Sequence, residues 1–215
     1  MTSEPARGAT TVDAFAAVRR LSFAVLSAGD HSAVYRALVT EIFAVLGVDQ
    51  VHVSRLSQDY VIGRGNCYRP GAGGVPEVGP EYEQHFDEAS GVKKVALTGE
   101  PLNEPNVASS SVLDQTLAER YNAASALFVP LAFDRQVRAV IGCISEIECK
   151  FADQDVELVS TLANQAAAAI GVLDMRARMS ARAEHQTALA RAARSLNARL
   201  DLQACLLYTS PSPRD

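Results

Sequence analysis

The sequence predicts an α+β fold: a central antiparallel sheet, flanked by N- and C-terminal helices on one face and by a loop and short-helix insert on the other. Three observations lead there. Apolar residues recur at steps of three and four at both ends of the chain, period two dominates the middle, and two long apolar runs meet at a two-residue turn. The 215 residues carry 48% hydrophobic residues, a net charge of −5 and mean hydropathy +0.03. Such a composition excludes bulk disorder, and the length suits one domain with an extension or two small ones.

Each element follows in order. Residues 1–11 are small and polar and read as a disordered tail. Phe15, Val18, Leu21, Val25 and Leu26 then describe an amphipathic helix that should end at Ala28-Gly29. Asp30 stands where a second helix needs its N-cap, and Val34, Leu38, Ile42 and Val45 mark its inner side up to Gly47. Val51, Val53 and Arg55 alternate with His52, Ser54 and Leu56 as in a strand, and Tyr60–Tyr68 is the expected antiparallel partner. Arg69–Pro80, rich in glycine and proline, reads as a long loop, and Gly71–Gly74 as a flexible lid. Glu81–Glu88 reads as a short helix, whereas Val92–Leu97 fits helix or strand. Ser111 with Asp114 has the form of a capping box opening a helix to about Asn122. Ser125–Phe133 and Gln136–Ile147 form a hairpin through Asp134-Arg135, covered on both faces. From Asp153 onward the chain is helical, with Gly171 its one glycine there.

Three stretches in this layout resemble the GAF domain, a sensor module of bacterial and eukaryotic regulators. They are Val95–Leu102, similar to the "tGeP" segment at the family's pocket rim; Ser125–Leu131 with Val140-Ile141-Gly142, similar to its hairpin; and Phe151–Leu158 leading to Leu162–Ile170, similar to its closing helix. The resemblance covers roughly residues 12–174 and implies the GAF/PAS-like arrangement, with a pocket between sheet and insert. Two residues depart from it. Ala152 replaces the usual Ser or Thr cap, so Asp153 is expected to cap one residue later, and the hairpin turn lacks glycine. Pro130 inside a strand calls for a bulge or an edge.

The expected pocket lining is His52, Tyr68, His85, Phe86 and Tyr121. No cofactor is named by the sequence. Lys150, Phe151 and Asp155 match part of the signature of cyclic-nucleotide-binding members, but no asparagine precedes Lys150, and the Cys-His dipeptide of bilin-attaching relatives is absent. His52 is a candidate haem ligand or a rim residue. Cys67, Cys143 and Cys149 raise thiol chemistry, because some GAF proteins reduce free methionine sulfoxide; a buried mid-strand cysteine such as Cys143 is equally a small hydrophobe. Neither a phosphate-binding Gly-Lys-Ser/Thr loop nor a paired metal-ligand spacing occurs, so no metal site is expected.

Three lysines and a pI near 5.4 argue against nucleic acid as a partner. Ser125–Phe133 and Ala166–Leu173 are too short to span a bilayer, and Met1–Pro5 lacks the features of a secretory signal, so a cytoplasmic place and no membrane contact are expected. The expected partners are an unidentified small molecule and a second copy of the chain through the terminal helices. Met175, Met179, Leu189, Ala193, Leu196 and Leu200 extend the last helix, with Arg182 and Gln186 interrupting the seam. Residues 175–204 read as a linker helix and the start of a second GAF-like unit, because Ser195–Ala204 repeats the pattern of Val25–Ala33, a helix end followed by an aspartate that opens the next helix. Residues 205–215 look like one reading frame of a transposase-based sequencing adapter or a disordered Ser/Pro tail, which makes the chain a fragment of a tandem sensor whose output domain follows.

The functional expectation is a regulatory, non-enzymatic ligand-sensing domain that relays pocket occupancy through its terminal helices. A dimerisation spacer and a thiol-based methionine sulfoxide reductase are the alternatives.

Overall fold

The computed structural model describes residues 11–57, 62–85, 90–113 and 119–208. It divides into two units, residues 1–171 and 172–215. In the first, helices α1 (Thr11–Leu26) and α2 (His31–Leu46) precede strands β1 (Gln50–Leu56), β2 (Ile62–Arg69) and β3 (Glu77–His85). Helix α3 (Gly91–Thr98), strand β4 (Leu102–Glu104) and the β5–β6 hairpin (Ser125–Phe133, Gln136–Ser145) follow. The closing helix α4 spans Asp153–Tyr208. All strand pairs are antiparallel, in the order β3-β2-β1-β6-β5-β4.

The local chemistry explains most boundaries. The Asp30 carboxylate accepts from the Ala33 N–H at 2.8 Å, and Gly47 closes α2 in the left-handed region at φ 55°. Asp134 and Arg135 turn the hairpin with φ of 52° and 59°, the paired positive angles of a type I′ turn, without glycine. Pro130 is accommodated because β4 reaches only as far as Phe128 along β5, and a bulge follows between Leu131 and Ala132.

Several expectations are corrected. Glu77–His85 is strand β3 rather than the end of a loop followed by a helix. Its glycine and proline punctuate an edge strand, Arg64–Glu83 at 2.8 Å joins it to the neighbouring β2, and the Arg55–Glu81 ion pair reaches over β2 to β1. Gly71–Gly74 is no lid: Gly73 (φ 67°) and Gly74 (φ 78°) build the reversal between β2 and β3. Asp153 does not cap α4. Ala152 occupies the cap position, and the buried Asp155 carboxylate reaches back to accept from its N–H at 2.9 Å, half of a capping box. Phe15 and Leu26 are 78% and 81% exposed; α1 is anchored instead by Ala17, Leu21 and a bidentate Arg20–Glu41 pair to α2. Helix α4 passes Asn197–Asp201 without a break, because Arg199 stands where the first copy of that pattern has a glycine able to turn left-handed. Val92–Leu97 resolves as helix. Most of the Ser111–Asn122 helix lies outside the described residues, although Asn122, at φ 51°, ends a turn bonded to Glu119. The N-terminal tail and residues 209–215 also lie outside them.

Strand alternation sorts the sheet into two faces. Val51, Leu127, Ile141 and Cys143 point to one, where α2 meets β1 and Gln165 of α4 donates to Ser22 of α1 at 3.3 Å. His52, Ser54, Ala126, Phe128 and Ile144 point to the other, which α3 covers. Asp153–Leu196 is a helix long and apolar enough to cross a membrane, but Leu158, Val159, Leu162, Ala163, Ala166 and Ile170 of that stretch are buried in the first unit's own core. In the second unit, the helix from Val172 is largely exposed.

Candidate functional site

The face of the sheet under α3 is incompletely filled. A cavity of about 170 Å³ lies there between β1, β3 and β5 on one side and residues 90–123 on the other. Small residues on the strands create it. Gly65 of β2 opposes Tyr82 of β3, and a Cβ at Gly65 would lie 2.7 Å from the Tyr82 hydroxyl, so only glycine lets that ring lie across the sheet. There the Tyr82 and Ser54 hydroxyls pair at 2.8 Å. Burial drives the Tyr82 phenol up to about 12, with the Ser54 hydrogen bond acting in the opposite sense.

His52 forms the inner wall. It is 7% exposed, and its buried Nε2 has no hydrogen-bond partner among the described residues. Its ring meets Tyr121 edge-on at 4.6 Å and Tyr82 at 5.9 Å. Burial, and secondarily the Arg69 charge, lower the His52 pKa to about 4, so the imidazole is neutral at physiological pH. Tyr121 is held in turn through its backbone: the Gln50 amide donates to the Tyr121 carbonyl at 3.0 Å. A second cavity, lined by Cys67, Arg69 and Glu77–Pro80, shares Tyr82, Arg120 and Tyr121 with the first.

Of the five residues anticipated to line the pocket, His52 and Tyr121 meet there. Tyr68 does not. It pairs with Val51 and therefore points to the opposite, helix-covered face, where it is buried; the period-two alternation that places His52 inside places Tyr68 outside. His85 ends β3, paired with Ile62, and its side chain and all of Phe86 lie outside the described residues. Val95–Leu102 contributes the Gly99-capped turn from α3 to β4 and none of the cavity wall; Ser90, Gly91 and Val92 line it instead. The expected lining omits Ser54, to which the alternation of β1 points, and Tyr82, whose segment reads from sequence as a helix beside the insert.

Of the candidate thiols, Cys149 is exposed and Cys67 and Cys143 are not. Burial pushes Cys143 up to about 12, and burial also raises Cys67, whose thiol donates to Gln50 at 3.5 Å. Among the described residues no group of three or more His, Cys, Asp or Glu side chains could hold a metal ion.

A six-stranded antiparallel sheet with helices on one face and a walled hollow on the other defines an α+β module. The GAF domain model matches residues 30–170, and the chain belongs to the GAF domain family. Solved structures agree in fold. The GAF domain of an Acinetobacter phosphoenolpyruvate-protein phosphotransferase is 15% identical with a TM-score of 0.62, covering 79% of this chain and 99% of that one. Free methionine-R-sulfoxide reductase from Neisseria meningitidis, solved with its substrate, is 12% identical with a TM-score of 0.62, covering 81% and 99%. The chromophore-binding domain of a bacteriophytochrome from R. palustris is 15% identical with a TM-score of 0.62, covering 80% and 65%. No curated protein matches the sequence.

Proposed function

We propose that this chain is a regulatory, non-enzymatic GAF sensor of a cytoplasmic bacterial signalling protein, in which occupancy of the His52 cavity changes the packing of the terminal helices. The observation that carries the reading is the cavity itself, walled by aromatic rings and by a buried, neutral histidine with an unsatisfied nitrogen. Pockets that hold small molecules combine an apolar lining with a few convergent polar groups in this way.

The route to the helices is short. In β1, His52 faces the cavity while Val51 and Val53, one residue to either side, are buried under the helical face. A ligand with different affinities for two positions of β1 would bias two packings of α2 above it. Helix α1 is tied to α2 through Arg20–Glu41 and to α4 through Ser22–Gln165, which gives that shift a mechanical outlet. The raised Cys67 and Cys143 thiols favour binding over thiol chemistry at those two residues.

Thermal unfolding of the full chain against a metabolite panel tests the reading. A true ligand at a hundred times its Kd stabilises by about 2.7 kcal/mol, a shift of several degrees. A panel with no stabilising compound would count against ligand sensing.

A second reading, dimerisation through the terminal helices, has its own observation. Val12, Phe15, Phe23 and Leu26 fall on one stripe of α1, and each is at least 70% exposed. Sedimentation showing only monomer at high concentration would remove it.

A further inference from the structure

Resting on the sensing reading above, the chemistry of the cavity wall narrows the occupant. Its volume, about 170 Å³, is close to the roughly 150 Å³ of an engineered apolar cavity that holds benzene. That is room for one aromatic ring and a small substituent, with the second cavity adjoining it at Tyr82, Arg120 and Tyr121. Around it stand the Tyr82, Tyr121 and Phe128 rings with Val92 and Ile144, a lining suited to a flat apolar body.

Charge narrows it further. Among the described residues Glu83 and Arg120 are the charged groups on the wall; both are exposed, and Glu83 is engaged by Arg64 at 2.8 Å. Both therefore stand at the exposed rim, and among the described residues the buried end of the cavity at His52 has no charged side chain on its wall, so an ion pushed that deep would keep most of its desolvation penalty. Polarity is not wholly absent, however. The Ser54 and Tyr82 hydroxyls share one hydrogen bond, and among the described residues His52 Nε2 is left without a partner, which leaves it the desolvation penalty of a buried polar atom. A neutral imidazole nitrogen either donates or accepts according to tautomer, and a hydroxyl answers both.

We propose that the cavity is a site for uncharged single-ring phenols, the ring lying among Tyr82, Tyr121 and Phe128 and the hydroxyl hydrogen-bonded to His52 Nε2. Tyr121 has to yield slightly for the hydroxyl to reach that atom. It sits half-buried on a turn, tethered through its carbonyl by Gln50, so its ring can move without unfolding a helix or strand.

Calorimetric titration of the full chain with phenol, benzene and benzoate tests this. Phenol should bind one per chain, at least tenfold tighter than benzene or benzoate. His52→Phe should erase the preference for phenol over benzene, and Ala123→Phe, which fills the cavity from its rim, should abolish both. If His52→Phe fails to fold, ¹⁵N-histidine spectra of the wild-type chain serve instead, and phenol must shift the His52 imidazole signals. Tighter binding of benzoate, a phenol preference that survives His52→Phe, or unmoved imidazole signals would each overturn the proposal. If none of the three probes binds but a panel compound stabilises the chain and loses its effect in Ala123→Phe, the phenol assignment falls and sensing stands; if no compound does, both fall.

Discussion

The two faces of the sheet are built to different standards from the same strands. On the helix-covered face, Val51, Leu127, Ile141 and Cys143 are wholly buried. One residue away along each strand, the other face carries His52, Ser54, Ala126 and Gly142, and leaves a hollow. The first face is packed as protein interiors are, and the second gives up packing to keep space and an unsatisfied nitrogen. Stability and recognition are thus separated by strand alternation rather than by distance.

Mutations should break that contrast in a definite order. Leu127→Ala on the packed face should cost about 2–5 kcal/mol, read from urea unfolding, because a fully buried leucine leaves a cavity its neighbours cannot close. A loss below 1 kcal/mol would mean that this face is no better packed than its opposite.

Acid should expose the other face. The unfolded His52 titrates near 6.5 and the folded one near 4, so the unfolded chain binds the extra proton in that window. Stability from this residue is complete above pH 6.5 and is lost as pH falls toward 4, amounting to about 3 kcal/mol at roughly 1.4 kcal/mol per unit. His52→Phe should flatten this part of the stability–pH curve. An unchanged acid limb in the variant would assign the loss to other groups.

The smallest expected effect is Gly65→Ala, about 1–3 kcal/mol, since the new methyl collides with the Val53 carbonyl as well as the Tyr82 ring. It should also disturb the Ser54–Tyr82 bond, visible as a change in Tyr82 environment by NMR. A neutral result would show that β2 and β3 can slide apart cheaply.

How much of this was legible in the sequence depended on which signal each residue carried. Asp30, Gly47 and the β5–β6 hairpin announce themselves through local chemistry, and the structure places them as read. His52 was found because alternation in β1 is clean. Tyr68 was misplaced because its face depends on register against Val51, a long-range fact that composition does not encode. Strand β3 was missed because Gly79 and Pro80 are tolerable at a sheet edge, while its charged residues are stabilised by cross-strand partners not visible in a local window. The exposed Phe15 fits a helical stripe as well as Leu21 does, and only packing against α2 distinguishes them.

One feature of the cavity bears on how such modules diversify. The Phe128 ring is wedged between backbones: a Cβ at Gly91 would lie 2.5 Å from it and one at Gly142 3.2 Å. That floor cannot tilt, so a bulkier or slimmer guest must be accommodated from the ceiling, through Val107, Leu113 and Tyr121. Drift in guest preference among descendants of this chain should therefore be written in residues 107–123, with the two glycines standing still beneath.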